Sequence, residues 1–397
     1  MKLLNIYYHI ASFFQNRILK KRIVFDQYRE NNGSLNALLY YKIEPFVNPL
    51  SIKNYHHTNN REILEIVKIL NKLGFNVDII DRNAEVKDFK KLKKHYHLFI
   101  GLGAGNSGKN FKKLAEKYPK ALKLLYAAGP EPELSNQLII ERYEYFSERH
   151  NGKQLSYRRM ITEFKFDEFA RVSDAFIVIG NIFTIESYKK YQKPIYPIFP
   201  SSSPKIKFKQ TIDPKQQTKF LYFGGNGNLV KGLDLLIEVF HQLPELELHI
   251  CAPTNETDFY TFYDSMLKAS PNIAFHGFIT PGEKKYNELA ELCGFVILPS
   301  CSEGMATSVT TCMRSGLIPV VTYEAGIDTG DFGFLLENYR TEYLSEKLKH
   351  ISKISFEEFT IRAQKTFRES EKFTISGFEL TFNEAIKQSL QDFSINI

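Results

Sequence analysis

Glu303 is the one carboxylate between Pro299 and Gly316, and its neighbours make it chemically interesting. An apolar run ends at Pro299, and a polar turn follows with Ser300, Ser302, Glu303 and Gly304. A helix-period segment then runs to Ser315, Gly316 stops it, and a second apolar run starts at Leu317. This is a strand–turn–helix–strand unit whose turn lies at the carboxyl end of its first strand, where open α/β sheets bind ligands. A carboxylate accepts hydrogen bonds from hydroxyls, and the free N–H groups of the helix start attract anions. The pair suits a ligand carrying both hydroxyls and phosphates, as a nucleotide-sugar does.

A second constellation opens the distal half. The strand-like Phe220-Leu-Tyr-Phe runs into Gly224, Gly225 and Gly227, then Lys231-Gly232, then an amphipathic helix. Glycines let the backbone approach a ligand, and a lysine at a helix start can neutralise a diphosphate. The plain alternative is a tight turn with a solvated lysine.

Elements of both periods must position these residues. Strands are expected over 34–41, 75–80, 97–102, 122–127 and 175–179, and again over 219–223, 246–251, 273–276, 294–298 and 318–322, with helices between them. Asn59 and Glu62 have the spacing of a capping box. Pro194, Pro197, Pro200 and Pro204, with Ser201, Ser202 and Ser203, break both periodicities and mark a linker. At 397 residues the expected architecture is α/β, with two Rossmann-like doubly wound units. Their expected bounds are 1–200 and 201–372, with a closing segment, 373–397.

Charge is uneven. Residues 1–200 carry 33 Lys and Arg against 20 Asp and Glu, a net +13 that the remainder offsets with −6. Solvated helix faces explain this; an anionic membrane surface or acceptor is the sharper reading. Nucleic acid is not expected, because the lysines lack interleaved arginines and aromatics. No apolar run approaches the ~18 residues of a membrane span, and the first residues do not resemble a secretory signal. Cys251, Cys293, Cys301 and Cys312 fit no zinc module and are expected to be reduced. A cytoplasmic protein, peripheral to the membrane's inner face at most, is the expectation.

The distal motifs together resemble the retaining GT-B glycosyltransferases that carry an E-x7-E motif (family 4, group 1). The resemblance rests on Gly225-Asn-Gly-Asn-Leu-Val-Lys231-Gly232, Asn272-Ile-Ala-Phe-His-Gly277-Phe278, Ser302-Glu303-Gly304, Gly316-Leu-Ile-Pro319-Val-Val and Phe334-Leu-Leu-Glu337-Asn338, in order. It implies the GT-B fold, with the acceptor in the first unit and a nucleotide-sugar donor in the second. It also implies a terminal helix that crosses back to the first unit. Lys231 and Glu303 would be catalytic, Lys231 on the diphosphate and Glu303 on sugar hydroxyls. Gly224, Gly225, Asn226, Gly304, Met305, Ala306 and Thr311 would complete the donor site. The acceptor would be a glycan or a lipid-linked saccharide in cell-surface polysaccharide synthesis, and no metal or other cofactor is expected. Two positions depart from the family pattern: Thr311 stands where the second glutamate belongs, and Asn226 replaces the arginine five residues before the lysine.

In the first half, His57, Gly103 and Gly105 are the candidate acceptor-binding residues. Gly103-Ala-Gly105-Asn-Ser-Gly108-Lys109 is one residue short of a phosphate-binding P-loop, since Asn110 replaces the magnesium-ligating Ser or Thr. A P-loop phosphotransferase and a non-catalytic sugar-nucleotide or glycan binder therefore stand as alternatives. Asp331-Phe-Gly333 lacks the companion loop of a kinase and is a turn.

Overall fold

The computed structural model describes residues 22–27, 35–47, 58–102, 110–161 and 166–395. Two sheets organise them. The first contains β1 (Ile23–Val24), β2 (Leu35–Tyr41), β3 (Phe75–Asp81), β4 (Leu98–Leu102), β5 (Leu122–Ala127), β6 (Ala175–Ile179) and β7 (Ile195–Ile198). Their order is β1-β3-β2-β4-β5-β6-β7, parallel except for β1. Helices α1 (Thr58–Lys72), α2 (Phe111–Lys117), α3 (Pro132–Arg149), α4 (Phe166–Val172) and α5 (Ile182–Tyr188) connect these strands. β3 and β6 are buried along their whole length, as parallel strands covered by helices on both faces must be.

The second sheet is wholly parallel. Its strands are β8 (Lys219–Phe223), β9 (Glu247–Cys251), β10 (Ile273–Phe275), β11 (Phe295–Leu298), β12 (Ile318–Thr322) and β13 (Phe334–Leu336), in the order β10-β9-β8-β11-β12-β13. Helices α6 (Leu233–His241), α7 (Thr257–Lys268), α8 (Lys284–Leu292), α9 (Thr307–Met313), α10 (Thr341–Ile351) and α11 (Phe356–Glu369) flank it. Counted within this sheet, the order is 3-2-1-4-5-6, that of a dinucleotide-binding sheet. The two sheets form the expected doubly wound pair.

Two local expectations need correction. The proline-rich stretch is not simply a linker, because Ile195–Ile198 forms β7 with Pro197 in register with Val178. An edge strand tolerates proline, whose missing N–H leaves no ladder bond unmade on the open side. The serines beyond it are packed: Ser201 N–H and Oγ–H both donate to Glu62, at 2.7 and 3.2 Å. Asn59 lies inside α1, so it is no N-cap, and Glu62 faces Ser201 instead of the helix start. Helix α12 (Ile375–Asp392) closes the chain against β7 and α1, where Tyr196 donates to Asp392 at 2.7 Å.

Helix α3 begins in the first sheet's surroundings and ends against the second. Glu131 caps it by accepting from the Glu133 and Leu134 N–H groups, and Pro132 fits its first turn. From there Arg142, fully buried, donates to the carbonyls of Leu229 (3.3 Å) and Pro299 (3.0 Å). Its last turn meets α6, a helix buried from Leu233 to Phe240. The two acids of that buried stretch, Asp234 and Glu238, are both paired with Arg149.

Candidate active site

In the second sheet the chain leaves β8 and β11 in opposite directions, so a crevice opens at their carboxyl ends. Two loops meet there. The β8 loop turns through Gly224–Gly232 and the β11 loop through Pro299–Ala306, and they are fastened where Cys301 N–H (2.9 Å) and Ser300 Oγ–H (3.2 Å) donate to the Val230 carbonyl. That places Lys231 beside Glu303, and the Lys231 ammonium donates to Glu303 Oε1. The Arg159 guanidinium arrives from the first half and donates to the same oxygen at 2.7 Å, and to the Ser302 carbonyl at 3.2 Å.

This cluster has one carboxylate and two cations. Burial works against an ionised Glu303, but Arg159 and Lys231 outweigh it and hold the carboxyl down at about 2. Burial pushes the Lys231 ammonium below its ordinary value, against the pull of Glu303. The charge of Glu303 raises Arg159 further, so the guanidinium stays protonated.

A cavity of about 290 Å³ lies between the halves. Gly224, Gly225 and Thr311 line it from the second, and Thr58, Asn59 and Arg61 from α1. Arg61 is 1% exposed and donates to the Ser201 carbonyl at 3.0 Å, which brings a buried cation to this wall.

The sequence-derived residues thus divide. Lys231 and Glu303 meet; Gly224, Gly225 and Thr311 share the cavity; Asn226 is exposed on the loop beside them. Gly304, Met305 and Ala306 are buried. A Cβ at Gly304 would stand 2.6 Å from the carbonyls of both Ala128 and Ile179, so only glycine allows the halves to approach this closely. The Ala306 N–H, expected to face a ligand, donates to the Ala325 carbonyl at 3.0 Å, and the Glu303 N–H to that of Glu324 at 2.9 Å. The glycine turn is likewise engaged, because Glu256 accepts from the N–H groups of Gly227 and Asn228. The N–H groups of Gly227, Asn228, Glu303 and Ala306 are thus already taken within the protein. His57, Gly103, Gly105 and the P-loop-like Gly108-Lys109 lie outside the described residues.

Arg159, Arg142 and Glu256 were missed from sequence. The contacts between Arg159 and Glu303 span 144 positions, and no local pattern announces them. Lys87, Lys91, Lys94, Lys112 and Lys123 each pair with a carboxylate, which leaves the net +13 of the first half in place. All four cysteines are buried and unpaired. No described helix is long and apolar enough to cross a membrane.

Residues 204–369 match the model of the family described as Glycosyl transferases group 1. No curated protein matches the sequence at a significant level. Solved structures share the fold. Sucrose-phosphate synthase from Thermosynechococcus elongatus is 13% identical with a TM-score of 0.64, over 90% of this chain and 99% of that one. Anabaena HepE, solved in complex with UDP and glucose, is 12% identical with a TM-score of 0.58, over 90% of this chain and 100% of that one. TarM is 15% identical with a TM-score of 0.53 over 76% of this chain, which spans 57% of TarM's length. The shared arrangement is the GT-B fold.

Proposed function

We propose that this chain, whose residues 204–369 match the group 1 glycosyl transferase family, is a glycosyltransferase that moves a sugar from a nucleotide-sugar to a glycan or lipid-linked acceptor with retention at the anomeric carbon. The observation that carries the reading is the meeting of Lys231 and Glu303 at the switch point of a 3-2-1-4-5-6 sheet. In the proposed complex the nucleoside occupies the cavity, with its ribose at Thr311. Lys231 takes the diphosphate, and Glu303 accepts from the sugar hydroxyls. As the glycosidic bond to the diphosphate breaks, negative charge grows on the leaving oxygens, and a fixed cation stabilises that change more than it stabilises the bound donor. The acceptor would enter from the first half. A role in cell-surface polysaccharide synthesis, at the inner face of the membrane, belongs to the same proposal.

The second reading, donor binding without turnover, draws on Thr311. A hydroxyl binds ribose more weakly than the carboxylate of the family pattern. Incubation with a panel of nucleotide-sugars, beginning with UDP-glucose, tests both readings. Binding should raise the melting temperature by mass action, and nucleoside diphosphate should accumulate once an acceptor is added. Binding with no turnover against any glycan or lipid-linked acceptor favours the second reading, and no thermal shift with any donor removes the first.

A further inference from the structure

We infer that Arg159 is a second diphosphate-binding cation, supplied to the donor site by the first half of the chain in place of the arginine missing at Asn226. The inference rests on the donor reading above and adds a residue to it.

Three observations support it. The family pattern has a cation five residues before the lysine, and this chain has the neutral, exposed Asn226 there. The Arg159 side chain crosses the same loop: a Cβ at Gly227, the next residue, would stand 2.7 Å from Arg159 Cδ. Its guanidinium ends on the carboxylate that also holds Lys231, so one acid faces two cations and the cluster has a surplus positive charge. Lys231 is buried but Arg159 reaches solvent, so the surplus is open to an anion from outside, and a diphosphate can draw both cations from Glu303 while that carboxylate turns to hydroxyls.

The backbone is built to deliver this side chain. Arg159 has a φ of 64°, a conformation that costs a non-glycine residue free energy and persists only when its surroundings impose it. The clamps lie on either side. Asp258 accepts from Ser156 N–H (2.9 Å) and the Arg158 guanidinium (3.3 Å), and Asn136 exchanges hydrogen bonds with Ile161 (2.7 and 2.9 Å). One clamp comes from each half, so both halves hold the segment that carries Arg159.

Calorimetry with uridine, adenosine and guanosine diphosphates, each beside its uncharged nucleoside, tests the inference on the whole chain. Arg159→Ala should weaken the best-binding diphosphate about tenfold to hundredfold, leave its nucleoside unchanged, and recover in part in Arg159→Lys. If Arg159→Ala fails to fold, Arg159→Gln carries the same expectation. Unchanged diphosphate affinity overturns the inference and leaves the donor reading intact. Tighter binding also overturns it, and makes Arg159 a lock on Lys231 and Glu303. A native chain that binds none of the three diphosphates overturns both.

Discussion

Arg149 donates to the fully buried Asp234 carboxylate across 2.6 Å, and so fastens the last turn of α3 to the first turn of α6. The same guanidinium reaches Glu238 at 2.9 Å, and His150 Nε2 lies 2.9 Å from that acid. Because α6 follows directly from Lys231-Gly232, this joint holds the Gly224–Gly232 loop through a helix rooted in the first half. Arg149→Ala would leave the buried Asp234 without its paired cation, with the Arg142 charge alone still nearby, which costs up to about 3–5 kcal/mol. Chemical denaturation should show that loss, and Arg149→Ala combined with Asp234→Asn should recover part of it. A loss below about 1 kcal/mol would mean the joint is not a structural support.

Lys231→Ala removes the cation nearest Glu303. Nucleoside diphosphate affinity should fall about tenfold to hundredfold, as expected for one charge-assisted contact of about 1.5–3 kcal/mol. Isothermal calorimetry reads it directly. Equal affinity in the variant would sink the role assigned to the lysine.

How far the sequence could lead is clear from these residues. Lys231 and Glu303 were legible because each lies in a strand–turn–helix unit whose punctuation by glycine and proline is local. The sheets were legible for the same reason, as runs of apolar residues. Arg142 and Arg149 were not, because helical periodicity defines a face without naming what packs against it. Arg159 depends on contacts formed only when the two halves meet. β7 was hidden by Pro197, which breaks a pattern in sequence yet is harmless at a sheet edge. The burial of Gly304–Ala306 was hidden too, since the carbonyls that crowd Gly304 come from the ends of β5 and β6.

Glu62 supplies a pH signature. Burial raises its carboxyl to about 7, against the hydrogen bonds from Ser201 and the nearby Arg61 charge. Between about pH 4.5, the ordinary value, and pH 7 the folded chain therefore holds a proton that the unfolded chain releases. Stability must fall as pH rises through that window, by as much as about 3 kcal/mol. Glu62→Gln keeps an acceptor for Ser201 but cannot ionise, so its stability should change less over the same range. Parallel slopes for native and variant chains in denaturation from pH 4.5 to 7.5 would refute this.

Glu303→Gln separates the roles gathered on one carboxylate. In the native chain Arg159 and Lys231 keep Glu303 ionised down to about pH 2, so its stabilising charge is present above about pH 4.5 and lost as pH falls through 2. Activity near neutrality should therefore show no limb from its titration. Glutamine keeps the shape but removes the charge, with three consequences. Acceptor strength towards the sugar hydroxyls falls, so kcat should drop about 10²-fold or more if those contacts strengthen in the transition state. The buried Lys231 and the more exposed Arg159 lose their counter-charge, so the ligand-free variant should melt below the native chain. Those cations are also released for a diphosphate, so nucleoside diphosphate affinity should rise and restore more melting temperature than it adds to the native protein. A Glu303 that only positions the loop gives a different pattern: lower stability, near-native kcat, and no gain in diphosphate affinity. Turnover, calorimetry and melting measured on the same variant distinguish the two, and the second pattern would remove Glu303 from the donor site.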